Sequence, residues 1–253
     1  MEVYSKKLLM KKASVTTYTL TVSLNPASAT CTLTYDGVAH TATSATVSAG
    51  TIISYSVSHS TYGTTTGTIT MDADKTLTCT GTYSTSETQT SWSSPTISSN
   101  GTLGGSSFAV YASSAAANYP AYYAFDGTTS NEWSAVRVAD LPIDYIFYSP
   151  TAVKVSTIYI TNSASRNYFK SGSVYGSNNN SGYSTLVSSW SNSNSTVLST
   201  WSISVNSSTA YKYYKIVFST WSSGTYAPRC AEISASGTKT TTSYTYYWNT
   251  SVT

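Results

Sequence analysis

Charged residues are scarce in this chain of 253 residues. With 13 Lys and Arg and 10 Asp and Glu, only 9% of the residues are charged, against about 25% in an ordinary soluble domain. The net charge of +3 comes from residues 1–12, where four lysines stand against one glutamate, and the remaining 9 basic and 9 acidic residues cancel. Nucleic-acid binding needs a concentrated basic face. Nucleic acid is therefore excluded as a partner of the body of the chain.

Long apolar runs and cysteines are scarce as well. No segment has the roughly 18 to 20 apolar residues that span a bilayer, and neither an apolar core nor a cleavage site of a secretory signal follows the basic residues 1–12. We therefore expect neither membrane insertion nor ordinary signal-peptide secretion. The cysteines Cys31, Cys79 and Cys230 are too few for a disulfide framework or a zinc site. They are predicted to be small buried residues, with a bridge between Cys31 and Cys79 as the alternative.

The side-chain patterns of common catalytic sites are absent too. The sequence has no nucleophile elbow, no phosphate-binding glycine loop and no His-carboxylate metal spacing, and its two histidines, His40 and His59, both precede the C-terminal two thirds of the chain. Acid pairs for glycoside hydrolysis would have to come from five carboxylates. These are Asp126, Glu132, Asp140, Asp144 and Glu232. We expect a protein that is not an enzyme.

Ser, Thr and 23 Tyr take the place of charge. These residues favour strands and turns over helices, which excludes helical bundles and coiled coils. Within residues 15–84, apolar and polar residues alternate in short runs, as in half-buried antiparallel strands. The apolar members are Leu20, Val22, Leu24, Cys31, Leu33, Tyr35, Ile53, Tyr55, Val57, Ile69, Met71, Leu77 and Cys79. A small β-sandwich is predicted here.

A second domain is predicted at residues 93–237. All six tryptophans lie at or beyond residue 92, and residues 84–90 contain no apolar side chain, so residues 85–92 are predicted to be a linker. About eight further strands between Gly, Asn and Ser clusters match the size of a jelly roll. Residues 238–253 form a C-terminal aromatic tail with Tyr244, Tyr246, Tyr247 and Trp248. The tail is predicted to be either an extra strand or a strip that docks on a partner.

The turn signals of the first domain follow a recognisable order. The segments are Asn25-Pro26-Ala-Ser-Ala29, Asp36-Gly37, Ala49-Gly50 and Tyr62-Gly63. Over residues 18–84 this order resembles the PEGA module, a small β-sandwich of surface proteins. The resemblance implies an Ig-like spacer.

Four segments of the second domain also occur in a family-like order. They are Tyr123-Ala-Phe-Asp-Gly127 with Trp133; Ile143–Tyr148 with Pro150–Ile160; Ser173-Val-Tyr-Gly-Ser-Asn178; and Tyr211–Phe218 with Ala231-Glu232-Ile233. Together they resemble the discoidin, or coagulation factor 5/8 type C, family and related carbohydrate-binding modules with the galactose-binding-like fold. The resemblance covers residues 93–237. It implies an all-β chain in which a spacer sandwich precedes a sugar-binding jelly roll.

The same resemblance implies a structural calcium ion. Asp126 and Glu232 match the carboxylate ligands of the family, and Thr128 and Asn131 stand where further oxygen ligands are expected. This chain departs from the family by having Thr128 at a frequently acidic position and Asn131 at a frequent threonine. In the alternative without an ion, Asp126 caps a turn and Glu232 bonds to the backbone.

Two loops carry the candidate ligand-binding residues. These residues are Arg166, Asn167, Tyr168 and Phe169 in one loop and Tyr226 and Arg229 in the other. Only three arginines occur in the chain, and a planar guanidinium suits vicinal hydroxyls or a carboxylate. The two loops are predicted to meet at one end of the jelly roll, with Trp133 in the core. In the alternative, Arg166 and Arg229 only pair with surface carboxylates.

These observations predict a carbohydrate-binding surface protein without enzymatic activity. We expect a phage virion fibre or a head or tail decoration protein, exposed on the virion surface, that attaches to host or mucus glycans. The basic segment at residues 1–14 is expected to dock on other virion proteins, and homo-oligomers would add avidity. The alternatives are a purely structural virion decoration protein without a sugar site, and a bacterial cell-surface adhesin.

Overall fold

The computed structural model describes residues 14–222 and 226–253, so the predicted docking segment lies almost entirely outside the described residues. The predicted all-β class is confirmed: besides strands, the described residues form two short 3₁₀ helices, Ala121–Phe125 and Val138–Asp140. No helix in this part of the chain is long and apolar enough to cross a membrane. The strands are β1 Thr17–Asn25, β2 Thr30–Tyr35, β3 Val38–Thr41, β4 Ser44–Ser48, β5 Ile52–His59, β6 Gly63–Thr70, β7 Lys75–Ser93, β8 Ala109–Ala112, β9 Trp133–Ser134, β10 Ile143–Asn162, β11 Phe169–Ser177, β12 Ser184–Ser191, β13 Thr200–Ser204, β14 Tyr211–Trp221 and β15 Arg229–Val252.

The chain divides into two compact units. The first unit ends at Ser86 and also contains Thr242–Thr253, and the second unit is Glu87–Thr241. The boundary at Ser86 falls within the linker predicted at residues 85–92, but these residues are part of the long strand β7. The aromatic tail is part of β15, as in the alternative that predicted an extra strand. A strand exposed on both faces needs no apolar alternation, and the threonines of residues 85–92 favour extended backbone. The absence of apolar residues therefore marked solvent exposure rather than a loop.

The first unit is a β-sandwich. One sheet has the order β3-β2-β5-β6, and the other contains β4, β1 and β7 in that order. The alternating apolar residues point inward as predicted, and Leu20, Leu33 and Ile53 are completely buried. Strands β1 and β7 pair in parallel, whereas antiparallel strands were predicted throughout. Parallel neighbours need a long crossover connection, and here the intervening strands of the opposite sheet provide it.

The three cysteines are free and buried, so the alternative of a bridge between Cys31 and Cys79 is not realised. Burial, with a smaller contribution from Cys79, raises the pKa of the Cys31 thiol to about 11. Both residues belong to the core of the first unit. They act as small apolar side chains, as predicted.

The second unit is the predicted jelly roll. Strands β12, β11, β14, β10 and β15 are neighbours in that order, β8 and β13 also pair with β10, and β9 pairs with β15. Aromatic residues dominate its core: Phe169 stacks on Phe218 at 4.0 Å between ring centroids and on Trp133 at 5.3 Å. Trp133 is completely buried, as predicted, and its indole N–H donates to the Ser114 carbonyl at 3.1 Å.

Candidate functional site

One end of the jelly roll gathers loops that are distant in sequence. The backbone N–H of Arg229 donates to the Asn167 carbonyl at 2.6 Å, which joins the loop before β15 to the loop between β10 and β11. The N–H of Ala164 donates to Glu132 at 2.6 Å and brings in the loop before β9. The two loops predicted to share one end therefore lie side by side.

An open pocket of about 400 Å³ lies among these loops. Its lining is almost entirely polar or aromatic, as in sites that recognise polar small molecules through a few well-placed groups. The lining residues are Asn118, Tyr119, Tyr123, Thr129, Ser130, Asn131, Glu132, Ala164 and Arg229.

Arg229 is fixed at the edge of this pocket by two neighbours. Its guanidinium carbon lies 4.6 Å from the centroid of the Tyr119 ring, within cation-π range. Its Nη1 lies 3.7 Å from Oε2 of Glu132. The Arg229 side chain is only 24% exposed, and its Nε has no hydrogen-bond partner within the described residues. A buried donor without a partner is costly, and Tyr119 and Glu132 hold the guanidinium in place despite that cost.

Glu132 holds the arginine in place and is itself held. Its Oε1 accepts the Ala164 N–H at 2.6 Å, and its Oε2 accepts the Ser163 hydroxyl at 3.2 Å. The carboxylate is buried beside Arg229. Since a buried charge needs a partner, Glu132 both orients the guanidinium and compensates its charge. The pocket therefore offers directed donors with little net charge.

Two tyrosines give the pocket its apolar surface. Tyr119 and Tyr123 are partly exposed and lie on opposite sides of Pro120, just before and within the helix Ala121–Phe125. A phenol ring presents an apolar face together with a polar hydroxyl. The arrangement can therefore contact the apolar face of a polyhydroxylated ring while Arg229, Asn118 and Asn131 bond to its hydroxyls.

The structure distributes the predicted ligand-binding residues unevenly. Only Arg229 lines the pocket. Phe169 is in the core, and Asn167 and Tyr168 are buried as well, so their side chains are not presented to a ligand. Arg166 is exposed at a turn with φ 61° and lies outside the pocket lining.

Tyr226 is 67% exposed and is not part of the pocket lining. Sequence reasoning missed Asn118, Tyr119, Tyr123 and Glu132 as ligand-binding candidates. The signal that marks them is the run of three tyrosines at 119–123 directly before the Phe-Asp-Gly segment, combined with Glu132 beside Trp133. Only Tyr123 of this run was interpreted, as part of the family motif.

The predicted metal residues also lie together. Gly127 N–H donates to Oε1 of Glu232 at 3.4 Å, and Asp126 accepts the Thr128 N–H at 2.9 Å and the Asn131 side-chain amide at 2.7 Å. These are the turn-capping and backbone contacts of the alternative without an ion. Oε2 of Glu232, however, is buried and has no hydrogen-bond partner within the described residues.

Electrostatics distinguish Glu232 from an ordinary surface carboxylate. Burial, assisted by the nearby Asp126 carboxylate, raises the pKa of Glu232 to about 8 despite the opposing hydrogen bond from Gly127. Two carboxylates, one with an unpartnered buried oxygen, together with hydroxyl and amide oxygens suit a hard cation. In residues 14–222 and 226–253, no group of three or more His, Cys, Asp or Glu side chains is placed to hold a metal. An ion here would therefore take most of its ligands from neutral oxygens.

Comparison with protein families identifies the second unit. Residues 109–233 match the model of the F5/8 type C domain. The resemblance drawn from the sequence is thereby confirmed for this segment. The resemblance of the first unit to the PEGA module stays a prediction. No curated protein matches the chain.

Several solved structures are similar to about half of the chain. The family 32 carbohydrate-binding module of Clostridium perfringens NanJ, in complex with galactose, is 21% identical with a TM-score of 0.43, over 51% of this chain and 93% of that one. The CBM32-1 and CBM32-2 domains of C. perfringens ZmpB, in complex with GalNAc, are 17% identical with a TM-score of 0.44, over 51% and 34%. An F5/8 type C domain from Bacteroides fragilis is 15% identical with a TM-score of 0.44, over 52% and 92%.

Proposed function

We propose that the second unit is a non-enzymatic carbohydrate-binding module whose ligand occupies the pocket beside Arg229. The observation that carries this proposal is the guanidinium held between Tyr119 and Glu132 at the edge of an open polar pocket. The F5/8 type C match supports it, because the pocket lies within the matched segment and the loops beside it.

The pocket chemistry favours a neutral sugar. Arg229 offers planar donors to vicinal hydroxyls, while Glu132 compensates its charge and so removes any strong preference for an acidic ligand. Glu132 already accepts two hydrogen bonds and faces the guanidinium. It is therefore a positioning residue for Arg229 and is not free to transfer protons to a glycosidic oxygen.

A comparison of two arginine variants tests the site. Arg229→Lys keeps the charge opposite Glu132 but loses the planar fork, and we expect sugar affinity to fall by about tenfold or more, the effect of losing one charge-assisted hydrogen bond. Arg166→Ala is the matched control and should bind normally. The measurement is glycan-array binding of the full chain, followed by titration with the sugars that bind, with galactose and N-acetylgalactosamine among the first probes.

Two outcomes would contradict the proposal. If Arg166→Ala loses binding and Arg229→Lys keeps it, the ligand lies on the loop between β10 and β11. If the wild-type chain binds no sugar on the array, the purely structural alternative replaces the proposal. The melting temperatures of both variants are measured as a control. Values close to that of the wild type show that the affinities compared are those of folded proteins.

We further propose that this unit binds a calcium ion through Asp126 and Glu232, with Thr128 and Asn131 supplying neutral oxygens. The unpartnered buried oxygen of Glu232 supports the proposal. The ion would neutralise two neighbouring carboxylates and fix the loop beside the pocket. Calcium takes six to eight oxygen ligands, so backbone carbonyls would complete the set.

For the biological setting we propose display on the surface of a phage particle, as a fibre or decoration protein in several copies. The low content of charge and the hydroxyl-rich composition support an exposed, glycan-binding role. Immunogold labelling of purified particles tests this setting. Labelling of bacterial envelopes in place of particles would favour the adhesin alternative.

A further inference from the structure

A row of aromatic side chains lies on the first unit, separate from the pocket described above. We call Tyr62, Tyr83, Tyr244, Tyr246 and Trp248 the aromatic row. Each ring is within contact range of the next: Tyr244 to Tyr83 5.7 Å, Tyr83 to Tyr246 6.0 Å, Tyr246 to Tyr62 5.8 Å, and Tyr62 to Trp248 5.4 Å between centroids. The row is therefore one continuous surface.

The backbone explains why these rings align. Tyr244, Tyr246 and Trp248 alternate along β15, so they share one face of the strand. Thr76 and Thr253 exchange two backbone hydrogen bonds, which places the end of β15 beside β7 in the first unit. Gly81 leaves space for the Tyr62 ring, because a Cβ at this glycine would lie only 2.5 Å from it.

Most of the row is not used to build the fold. Trp248 packs on the core and donates its indole N–H to the Gly63 carbonyl at 3.0 Å. In contrast, Tyr83 and Tyr244 are each 56% exposed and Tyr246 is 43% exposed. Contiguous exposed aromatic surface of this kind marks an interaction site.

The row continues into a polar pocket of about 630 Å³ lined by hydroxyl groups. His59 connects the two, since its ring lies 5.2 Å from Tyr62 and also lines the pocket. Its Nδ1 accepts the Thr61 N–H at 3.1 Å, and its Nε2 lies 3.2 Å from the Ser28 hydroxyl oxygen. The row and the pocket lining contain no Lys, Arg, Asp or Glu.

We infer that the aromatic row and this pocket form a second carbohydrate-binding surface, for an extended neutral polysaccharide. Phenol rings in a line present apolar faces with polar edges, which complements a polymer of neutral, polyhydroxylated rings, and the hydroxyl-lined pocket supplies hydrogen bonds at one end. Nucleic acid would require basic groups. Protein interfaces are enriched in Met and Arg as well as in aromatic residues, whereas the row and the pocket lining contain neither Met nor Arg.

This inference goes beyond the function proposed for the second unit, because none of the residues involved belongs to that unit. It also revises the expectation that the first domain is only a spacer. That expectation treated the tail as separate from residues 15–84, whereas the row is completed by residues of both segments.

Native affinity electrophoresis of the full chain tests the inference. Gels contain one soluble neutral polysaccharide each: a β-glucan, a galactomannan, a xylan or an amylose. We expect retardation of the wild-type chain in at least one gel and an affinity about tenfold lower for the Tyr83→Ala/Tyr244→Ala double variant, as for loss of a dominant aromatic anchor. Tyr247→Ala is the matched control: Tyr247 is 46% exposed on the same strand, on the opposite face by alternation, and its removal should change nothing.

Further variants separate the possible outcomes. Tyr244→Thr, which introduces a residue already frequent on β15, repeats the test if the double variant has a lowered melting temperature.

Retardation that survives in Arg229→Lys and disappears in the double variant supports a separate site. The inference is overturned if no gel retards the wild type, if the double variant is retarded normally, or if Arg229→Lys alone abolishes retardation. A wild-type dimer that the double variant converts to a monomer, with retardation unchanged, assigns the row to contact between copies and also overturns it.

Discussion

Arg229 illustrates how single residues act at the pocket. The guanidinium is useful because Tyr119 and Glu132 fix its orientation, so that little side-chain entropy remains to be lost on binding. Arg166 has the same chemistry but no such neighbours in the pocket lining. The difference between the two arginines arises from their surroundings.

Asp140 is a second residue whose surroundings determine its behaviour. Its Oδ2 accepts the Ser114 hydroxyl at 2.6 Å and the Arg137 N–H at 3.1 Å, and its Oδ1 accepts Nε of Arg137 at 3.3 Å. The Ser114 hydrogen bond, followed by the contacts with Arg137, holds the pKa of this carboxyl below its usual range. Ser114 also accepts the Trp133 indole N–H through its carbonyl, so Asp140 supports the core tryptophan indirectly.

Because the pKa of Asp140 is lowered, the substitution Asp140→Asn is predicted to change the stability of the fold by an amount that depends on pH. A depressed carboxyl pKa stabilises the fold above the unfolded pKa, and that stabilisation is lost as the pH falls through the folded pKa. The variant should therefore unfold at lower urea concentration than wild type at about pH 7 but at a similar concentration near about pH 2 to 3. Ser114→Ala removes the strongest of these hydrogen bonds and should reduce the dependence of the wild-type stability on pH. An equal stability difference at both pH values would show that the charge of Asp140 is unimportant.

At the scale of elements, β15 serves both units. Its first residues carry Arg229 and Glu232, and its last residues carry the aromatic row and pair with β7. The strand can do this because its exposed half is rich in Thr and Tyr, which favour extended backbone on either face. The aromatic tail is thus the end of a strand, as in the first of the two alternatives predicted for it.

The contribution of β15 to the first unit predicts the effect of Trp248→Ala. The indole packs on the core of that unit and donates to Gly63, so truncation removes apolar contact and one hydrogen bond. Because the side chain is partly exposed, we expect a loss of about 2 kcal/mol, below the 3 to 5 kcal/mol of a fully buried aromatic. Urea unfolding of the full chain measures it. Tyr247→Ala should stay within about 0.5 kcal/mol, and an equal loss in both variants would mean that Trp248 has no special role.

At the scale of the whole molecule, each unit has its own hydrophobic core. Leu20, Leu33 and Ile53 belong to one, and Trp133 and Phe218 belong to the other. Separate cores allow separate unfolding transitions. Ligands of one unit should therefore shift one transition.

Calcium is predicted to raise only the transition of the second unit. An ion that binds the native state alone stabilises it by about 2.7 kcal/mol at a hundred times its dissociation constant, which corresponds to roughly 5 to 10 °C for a unit of this size. Differential scanning calorimetry with calcium and with chelator measures the shift. Glu232→Gln should remove it, and Asp36→Asn in the first unit should not. If the transition of the second unit is indifferent to calcium, Asp126 and Glu232 are turn and backbone partners only.

The sequence by itself determined the all-β class and the resemblance of residues 109–233 to the F5/8 type C domain. Alternation with a period of two depends only on neighbours along one strand, so it located the inward residues Leu20, Leu33 and Ile53 correctly. The ordered segments around Phe125, Val174 and Ile233 indicated the resemblance to the F5/8 type C domain for the same reason, since each segment is local. Arg229 was found because arginine is rare in this chain.

Only the tertiary structure decided which side chains meet. Phe169 follows directly after a loop that bears Arg166, yet strand alternation turns it into the core against Trp133. Tyr119 and Glu132 reach Arg229 across about a hundred residues of sequence, and Tyr83 reaches Tyr246 through the first unit's pairing of β7 with β15. Both sites are made by contacts between distant segments. Strand pairing and loop packing place these segments together, and no periodicity along the chain encodes that placement.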